Sequence, residues 1–159
     1  MQIALTPWEI VLAAQAGIMR QVENCKLNRQ HKYGANASEA SDWQWHIEGA
    51  LGEFALAKAL QLHWNGKGRL RALDVGGVLD VRTATRPDSH LILHPDDPDD
   101  REFWLLTGRN GQYVVRGWIM GRDGKRQEFW RDPVGGRPAF FVPQGALLLP
   151  PGLACATTA

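Results

Sequence analysis

The sequence predicts an α/β (α+β) domain with a mixed, largely antiparallel central sheet flanked by helices. Three observations predict it. Up to about residue 62, apolar side chains recur at helical spacing. From Arg69 onward, short runs rich in Leu, Val, Ile, Trp and Thr alternate with turn residues. The 159 residues, 44% hydrophobic and 22% charged, suit one domain with a real core.

Thr6-Pro7-Trp8-Glu9 opens the first helix. Thr6 caps, Pro7 fits the first helical position, and Glu9 completes a capping box. Ile10, Val11, Ala14, Ile18 and Val22 then carry the period over about 7–25. Residues 26–40 are polar and read as a surface loop, in which Lys26, Arg29, His31, Lys32 and Tyr33 stand close together. A second helix is expected over about 42–62, capped by Ser41, with Ile47, Leu51, Phe54, Ala55 and Leu62 as its apolar stripe. Gly49, Ala50 and Ala57 form a small-residue stripe that lets a strand approach. Glu53 shares that face, so its carboxylate is partly buried and aimed at whatever packs there.

Strands are expected at 69–75, 78–85, 89–94, 103–108 and 113–119, parted by Gly76-Gly77, Pro87-Asp88, Asp96 to Asp100 and Gly108 to Gly111. Connections this short favour antiparallel hairpins. Residues 122–137 read as a basic loop or short helix, and 139–143 as an edge strand ended by Pro143. One domain is expected over 1–150: an N-terminal helix and loop to residue 40, a core over 41–120, and a disordered tail at 151–159.

This composition excludes a disordered chain, a collagen and a coiled coil. No run reaches the ~20 apolar residues of a membrane span. The first residues lack a basic stretch followed by an apolar one, so no export signal is expected and the reading is cytoplasmic. Cys25 and Cys155 make no metal or disulfide framework. The net charge of +1 hides local fields: residues 96–108 hold five acids against Arg101, while 109–137 hold seven basic residues against three acids. The acidic run Asp96-Asp97-Pro98-Asp99-Asp100 reads as a solvated hairpin tip. His90 and His94 stand roughly 13 Å apart along a strand, too far to share a metal.

The chemistry-bearing segment is Asp74-Val75-Gly76-Gly77-Val78-Leu79-Asp80-Val81-Arg82-Thr83. In a strand Asp80 and Arg82 point one way, and Leu79, Val81 and Thr83 the other. Burying those charges costs several kcal/mol unless each is paired or liganded. Asp74, across a Gly-Gly turn, is placed to stand beside Asp80, and Glu53 on the preceding helix to close the group. Three converging carboxylates repel one another unless a hard cation sits among them. Mg²⁺ (or Mn²⁺) with oxygen ligands would polarise a phosphoryl oxygen and lower the pKa of a bound water.

Gly49-Ala50-Leu51-Gly52-Glu53 on a helix, then Asp74, then Asp80-Val81-Arg82 in a hairpin, resembles the PD-(D/E)XK (restriction-endonuclease-like) nuclease superfamily. Gly117-Trp118-Ile119 and Phe141-Val142-Pro143 are similar to segments of small phage proteins assigned to that fold. The resemblance covers about residues 41–120. It implies a restriction-endonuclease-like core and Mg²⁺-dependent hydrolysis of DNA phosphodiester bonds in a bacterial host's cytoplasm. Glu53, Asp74, Asp80 and the Val81 carbonyl would ligate the metal. The family's lysine position holds Arg82, which stays charged and cannot act as a general base. Arg82 would instead clamp the scissile phosphate.

Lys67, Arg69, Arg71 and Arg86 lie near the same hairpin and are the expected contacts to the DNA backbone. Trp43, Trp45 and Trp64 are candidates for stacking on bases. His46, seven residues before Glu53, reads as an exposed helix histidine, or more sharply as an auxiliary proton carrier. The expected partners are DNA and a second copy of the chain as a homodimer, with no membrane. The rival reading keeps the fold and loses the chemistry: a catalytically inactive nuclease-fold protein acting as a DNA- or protein-binding accessory factor.

Overall fold

The first helix begins where its capping box places it. In the computed structural model the Thr6 hydroxyl accepts from the Glu9 amide at 3.3 Å. The Glu9 carboxylate accepts from the Thr6 amide at 2.6 Å. The structure describes residues 1–27, 39–66, 75–77, 79–133 and 135–149, with the main chain alone for 39–41. Residues 28–38 of the loop expected at 26–40, most of the strand at 69–75 and the tail at 151–159 lie outside the described residues, while Lys26 and 39–40 of that loop are helical.

Strand β1 (Gln2–Ala4) precedes helix α1 (Pro7–Lys26), and α2 (Glu39–Leu60) follows. Then come β2 (Leu79–Ala84), β3 (Leu91–Leu93), β4 (Glu102–Arg109) and β5 (Gln112–Met120). A short helix α3 (Gly121–Gly124), a 3-10 turn (Gln127–Phe129), β6 (Trp130–Arg131) and β7 (Ala139–Val142) complete the described elements up to Val142. The strands form two sheets, one ordered β1-β5-β4-β2 and one ordered β3-β7-β6. The class is α+β with a mixed, mostly antiparallel sheet, as the sequence predicts.

Four details differ from expectation. β2 and β4 run parallel, with Leu79 opposite Glu102 and Ala84 opposite Thr107, so β2, β3 and β4 are not successive hairpins. β3 leaves for the second sheet and pairs β7, which frees the edge of β4 for β2. β7 is therefore the centre of its sheet and not an edge, because Pro143 stands just beyond its last pairing. β1, too short to show a period, pairs β5 antiparallel. The β4–β5 hairpin turns on Asn110-Gly111, both at positive φ, the chemistry such a turn needs.

Strand alternation divides the core in two. On the helix side, Leu79, Trp104, Leu106 and Val115 pack with Leu51, Ala55 and Leu56 of α2. On the other side, Phe103, Leu105 and Ile119 pack with Leu91, Leu93 and Val142. α1 lays Ala13, Gly17 and Gln21 inward, and a Cβ on Gly17 would collide with the α2 main chain at His46 and Ile47. α2 meets β2 at Gly52, where a Cβ would collide with the Thr83 hydroxyl. The close approach foreseen for Gly49 thus falls at Gly52; Gly49 itself faces open space. Among the described residues no helix is long and apolar enough to cross a membrane.

Gly52→Val should force α2 off β2. Overpacking of this kind costs about 1–3 kcal/mol, read as a lower urea midpoint at unchanged slope. A midpoint equal to that of the parent would mean that α2 and β2 are not in contact there.

Candidate functional site: two separate carboxylate centres

Glu53 is only 6% exposed. A carboxylate buried to this extent needs a cation, and α1 supplies Arg20. Arg20 Nη1 donates to Oε1 and Nη2 to Oε2, each at 2.6 Å. Trp64 Nε1 donates to Oε2 at 3.0 Å, and Arg20 Nη2 also reaches the Gly66 carbonyl at 3.3 Å. The fork of the guanidinium matches the two carboxylate oxygens, which makes this a short, charge-assisted, bidentate pair. Among the described residues, the first helix, Trp64 and the Gly66 carbonyl surround the Glu53–Arg20 pair.

Asp80 has its own partners. Arg82 Nε lies 3.3 Å from Oδ1, and Arg101 Nη1 donates to Oδ2 at 3.4 Å. Arg82 Nη2 donates to Asp97 Oδ1 at 3.0 Å, and its guanidinium lies 5.3 Å from the centre of the Phe103 ring. Asp97 also accepts from the His94 amide at 2.8 Å. Burial holds the Asp80 carboxyl above the ordinary carboxylate value; Arg82 pulls it down, and the nearby Asp97 charge pushes it up again.

The two centres stand on opposite sides of the four-stranded sheet. Leu79 and Val81 of β2 join the helix-side core, while Ala84 joins the other. Alternation then sends Asp80 and Arg82 away from α2, toward the layer of Phe103 and the second sheet. Glu53, held against Arg20 and Trp64, stays in the helix layer. The structure thus does not bring Glu53 and Asp80 together, which corrects the expectation of one converging group.

Asp74, the third expected ligand, lies outside the described residues, as do Lys67, Arg69 and Arg71. Val81 turns its side chain into the helix-side core, and its main chain belongs to the ladder opposite Trp104. The described residues do not fit a shared Mg²⁺: both Glu53 oxygens are claimed by Arg20, and Asp80 faces the other way.

Arg86 is exposed and pairs with Asp88 at 2.6 Å. His46 Nε2 lies 2.9 Å from Asn24 Nδ2, which ties it to α1. The acidic tip is partly structural: Asp97 turns inward to Arg82, and Asp99 pairs with Lys125. Between α2 and the end of β2 runs an open groove of about 480 Å³, whose lining includes Trp45, Gly49, Thr83, Thr85, Arg86 and Ser89.

Sequence reasoning missed Arg20 and Arg101, and gave Trp64 and Asp97 other roles: Trp64, expected to stack on bases, bonds Glu53, and Asp97, expected in a solvated tip, pairs with Arg82. Arg20 carried a usable signal, being the one basic residue of the first helix before Lys26. Arg101 carried another, as the single base within the acidic run. No family model, no curated protein and no solved structure matches this chain.

Glu53→Ala leaves the Arg20 charge buried without its main partner and should lower stability by about 3–5 kcal/mol. Replacing both members, Arg20→Met with Glu53→Leu, should recover most of that loss in urea titrations. A Glu53→Ala protein as stable as the parent in the absence of metal would point instead to mutually repelling acids. Asp80 gives a pH-dependent test. Its carboxyl binds a proton more tightly folded than unfolded, because burial raises it above 3.8. The stability it contributes is full below that value and is lost as pH rises through the folded value. The parent's urea stability relative to Asp80→Asn should therefore decline as pH is raised from below 4; a difference that stays flat or grows would contradict this.

Proposed function

We propose that the chain is a nuclease-like protein that binds DNA without cutting it. The observation that carries this reading is the separate neutralisation of the two acids: Glu53 by Arg20, and Asp80 by Arg82 and Arg101. A hydrolytic metal centre needs carboxylate oxygens left available to a cation at one place. Here their charge is spent on guanidinium groups in two layers of the fold. Arg82 sits where the resembled family has lysine, and it bridges Asp80 to Asp97, so it is a structural link before it is a phosphate clamp.

The groove beside α2 is the surface best suited to a nucleic acid strand. Trp45 is half exposed and offers a ring on which a base can stack. Thr83, Thr85 and Ser89 supply hydroxyls along the same wall. The Arg86–Asp88 bridge is fully exposed, and such pairs are worth little, so a phosphate can displace Asp88 at small cost.

Fluorescence anisotropy with a labelled single-stranded oligonucleotide, with a duplex for comparison, tests the binding half. Affinity should fall as salt rises, and Trp45→Ala should weaken binding roughly 5- to 150-fold, as expected for one lost stack of about 1–3 kcal/mol. A nuclease assay on several DNA forms with Mg²⁺ and with Mn²⁺ tests the other half, and no cleavage is expected. Mn²⁺-dependent cleavage that disappears in Asp80→Ala would overturn the reading and restore the enzyme.

A further inference from the structure

The second sheet covers only part of the face it packs on. Phe103, Leu105 and Ile119 lie beneath it. By alternation the same face of β4 continues to Thr107, and the register sets Val114 of β5 and Gln2 of β1 beside it in one row. Over this row lies an open cavity of about 540 Å³, walled by Thr85 and Pro87 beyond the end of β2. A bulge aims Arg116 into it. Leu105 pairs with Gly117 and Leu106 with Val115, so the register passes over Arg116 and leaves it opposite no residue of β4. An extra residue of this kind interrupts the ladder and re-aims a side chain, a device common beside functional sites.

Arg116 Nε donates to the Thr107 hydroxyl at 2.6 Å, which turns the guanidinium along the floor of the cavity. Among the described residues no acid pairs with Arg116, and none lines the cavity. Both Nη groups are therefore left without an acceptor. Thr107 is only 2% exposed. Its oxygen takes the Nε bond, and its own hydrogen has no acceptor among the described residues. A half-buried cation without a counter-charge and a buried hydroxyl without an acceptor call for the same complement, an anion with several oxygens.

We propose that this cavity binds a phosphate group, paired by the two Nη groups of Arg116 and bonded by the Thr107 hydroxyl. A carboxylate would spend both its oxygens on the guanidinium fork, whereas a phosphate keeps a third for Thr107. The cavity is far larger than a lone phosphate, and Ala4, Pro87 and Val114 give it apolar wall for the body of an organic ligand. Thr85 and Gly108 line both this cavity and the groove beside α2, so the two meet round the end of β2. The phosphate thus belongs either to a free molecule of about mononucleotide size or to a strand that continues out of the groove.

Titration of the full chain with AMP by calorimetry, beside anisotropy with a single-stranded oligonucleotide, tests the site. Inorganic phosphate should compete with the bound probe, and malonate should compete far less. Arg116→Gln should weaken binding roughly 10- to 150-fold, the worth of a hydrogen bond to a charged group, and Thr107→Val, which keeps the shape, roughly 2- to 10-fold. Arg126→Gln, which removes an exposed positive charge outside the cavity, should change nothing. Far-UV circular dichroism and the urea midpoint verify that each variant is folded. A free ligand is indicated if AMP binding alone depends on Arg116, and a strand if oligonucleotide binding falls by the same factor and AMP displaces it. If neither probe responds to Arg116 and Thr107, or if malonate competes as well as phosphate, the proposal fails. It stands or falls apart from the DNA-binding reading. Oligonucleotide binding that needs Trp45 but not Arg116, with no AMP bound, would remove this site and keep that reading; AMP binding without oligonucleotide binding would do the reverse.

Discussion

The pairing of Arg20 with Glu53 is the constraint on which the helix layer depends. Each charge alone would be prohibitively placed, since both side chains are largely removed from water. Together they satisfy one another through two parallel bonds, and Trp64 and the Gly66 carbonyl take up part of the remaining capacity. A bidentate pair tolerates little sliding, so it fixes α1 on α2 as well as joining them. Gly17 makes the fit close enough for that reach, because it brings the α1 backbone against the α2 main chain at His46 and Ile47.

The sheet then separates this pair from the second charged centre. β2 is an edge strand with helices on one face and a small second sheet on the other. Its odd-numbered residues join the helix-side core, and its even-numbered ones, Asp80 and Arg82, face the second sheet. Arg82 is held there by three different attractions: Asp80, Asp97 and the face of Phe103. Asp97 arrives from the turn after β3, so the charged centre stitches the edge of one sheet to the loop that leaves the other. A resemblance to nucleases in the order of acidic residues therefore coexists with a geometry that serves cohesion. Glu53 on α2 and Asp80 on β2 lie on opposite faces of the sheet, and a linear motif does not encode that.

Much of the fold was legible because its signals are local. The capping box of α1, the Asn110-Gly111 turn and the even–odd split of Asp80-Val81-Arg82 follow from neighbouring residues alone. What was illegible was long-range. The parallel partnership of β2 with β4 depends on β3 leaving the sheet, and three residues of alternating Leu and Ile look the same in either sheet. The buried state of Glu53 was readable from the small residues around it. Its partner was not, because Arg20 lies 33 positions away and only helix packing brings it near. The acidic tip misled for a related reason: four acids within five residues look solvated, yet Arg82 and Lys125 draw Asp97 and Asp99 back to the fold.

The separation of the two acids can be measured in solution without assuming any activity. Mn²⁺ added to isotopically labelled protein broadens the amide resonances of residues close to a bound ion. With Glu53 and Asp80 each closed by arginine on opposite faces of the sheet, sub-stoichiometric Mn²⁺ should leave both amides as sharp as the rest of the core. Selective and simultaneous loss of both resonances at low Mn²⁺ would place one cation between them and contradict the arrangement described.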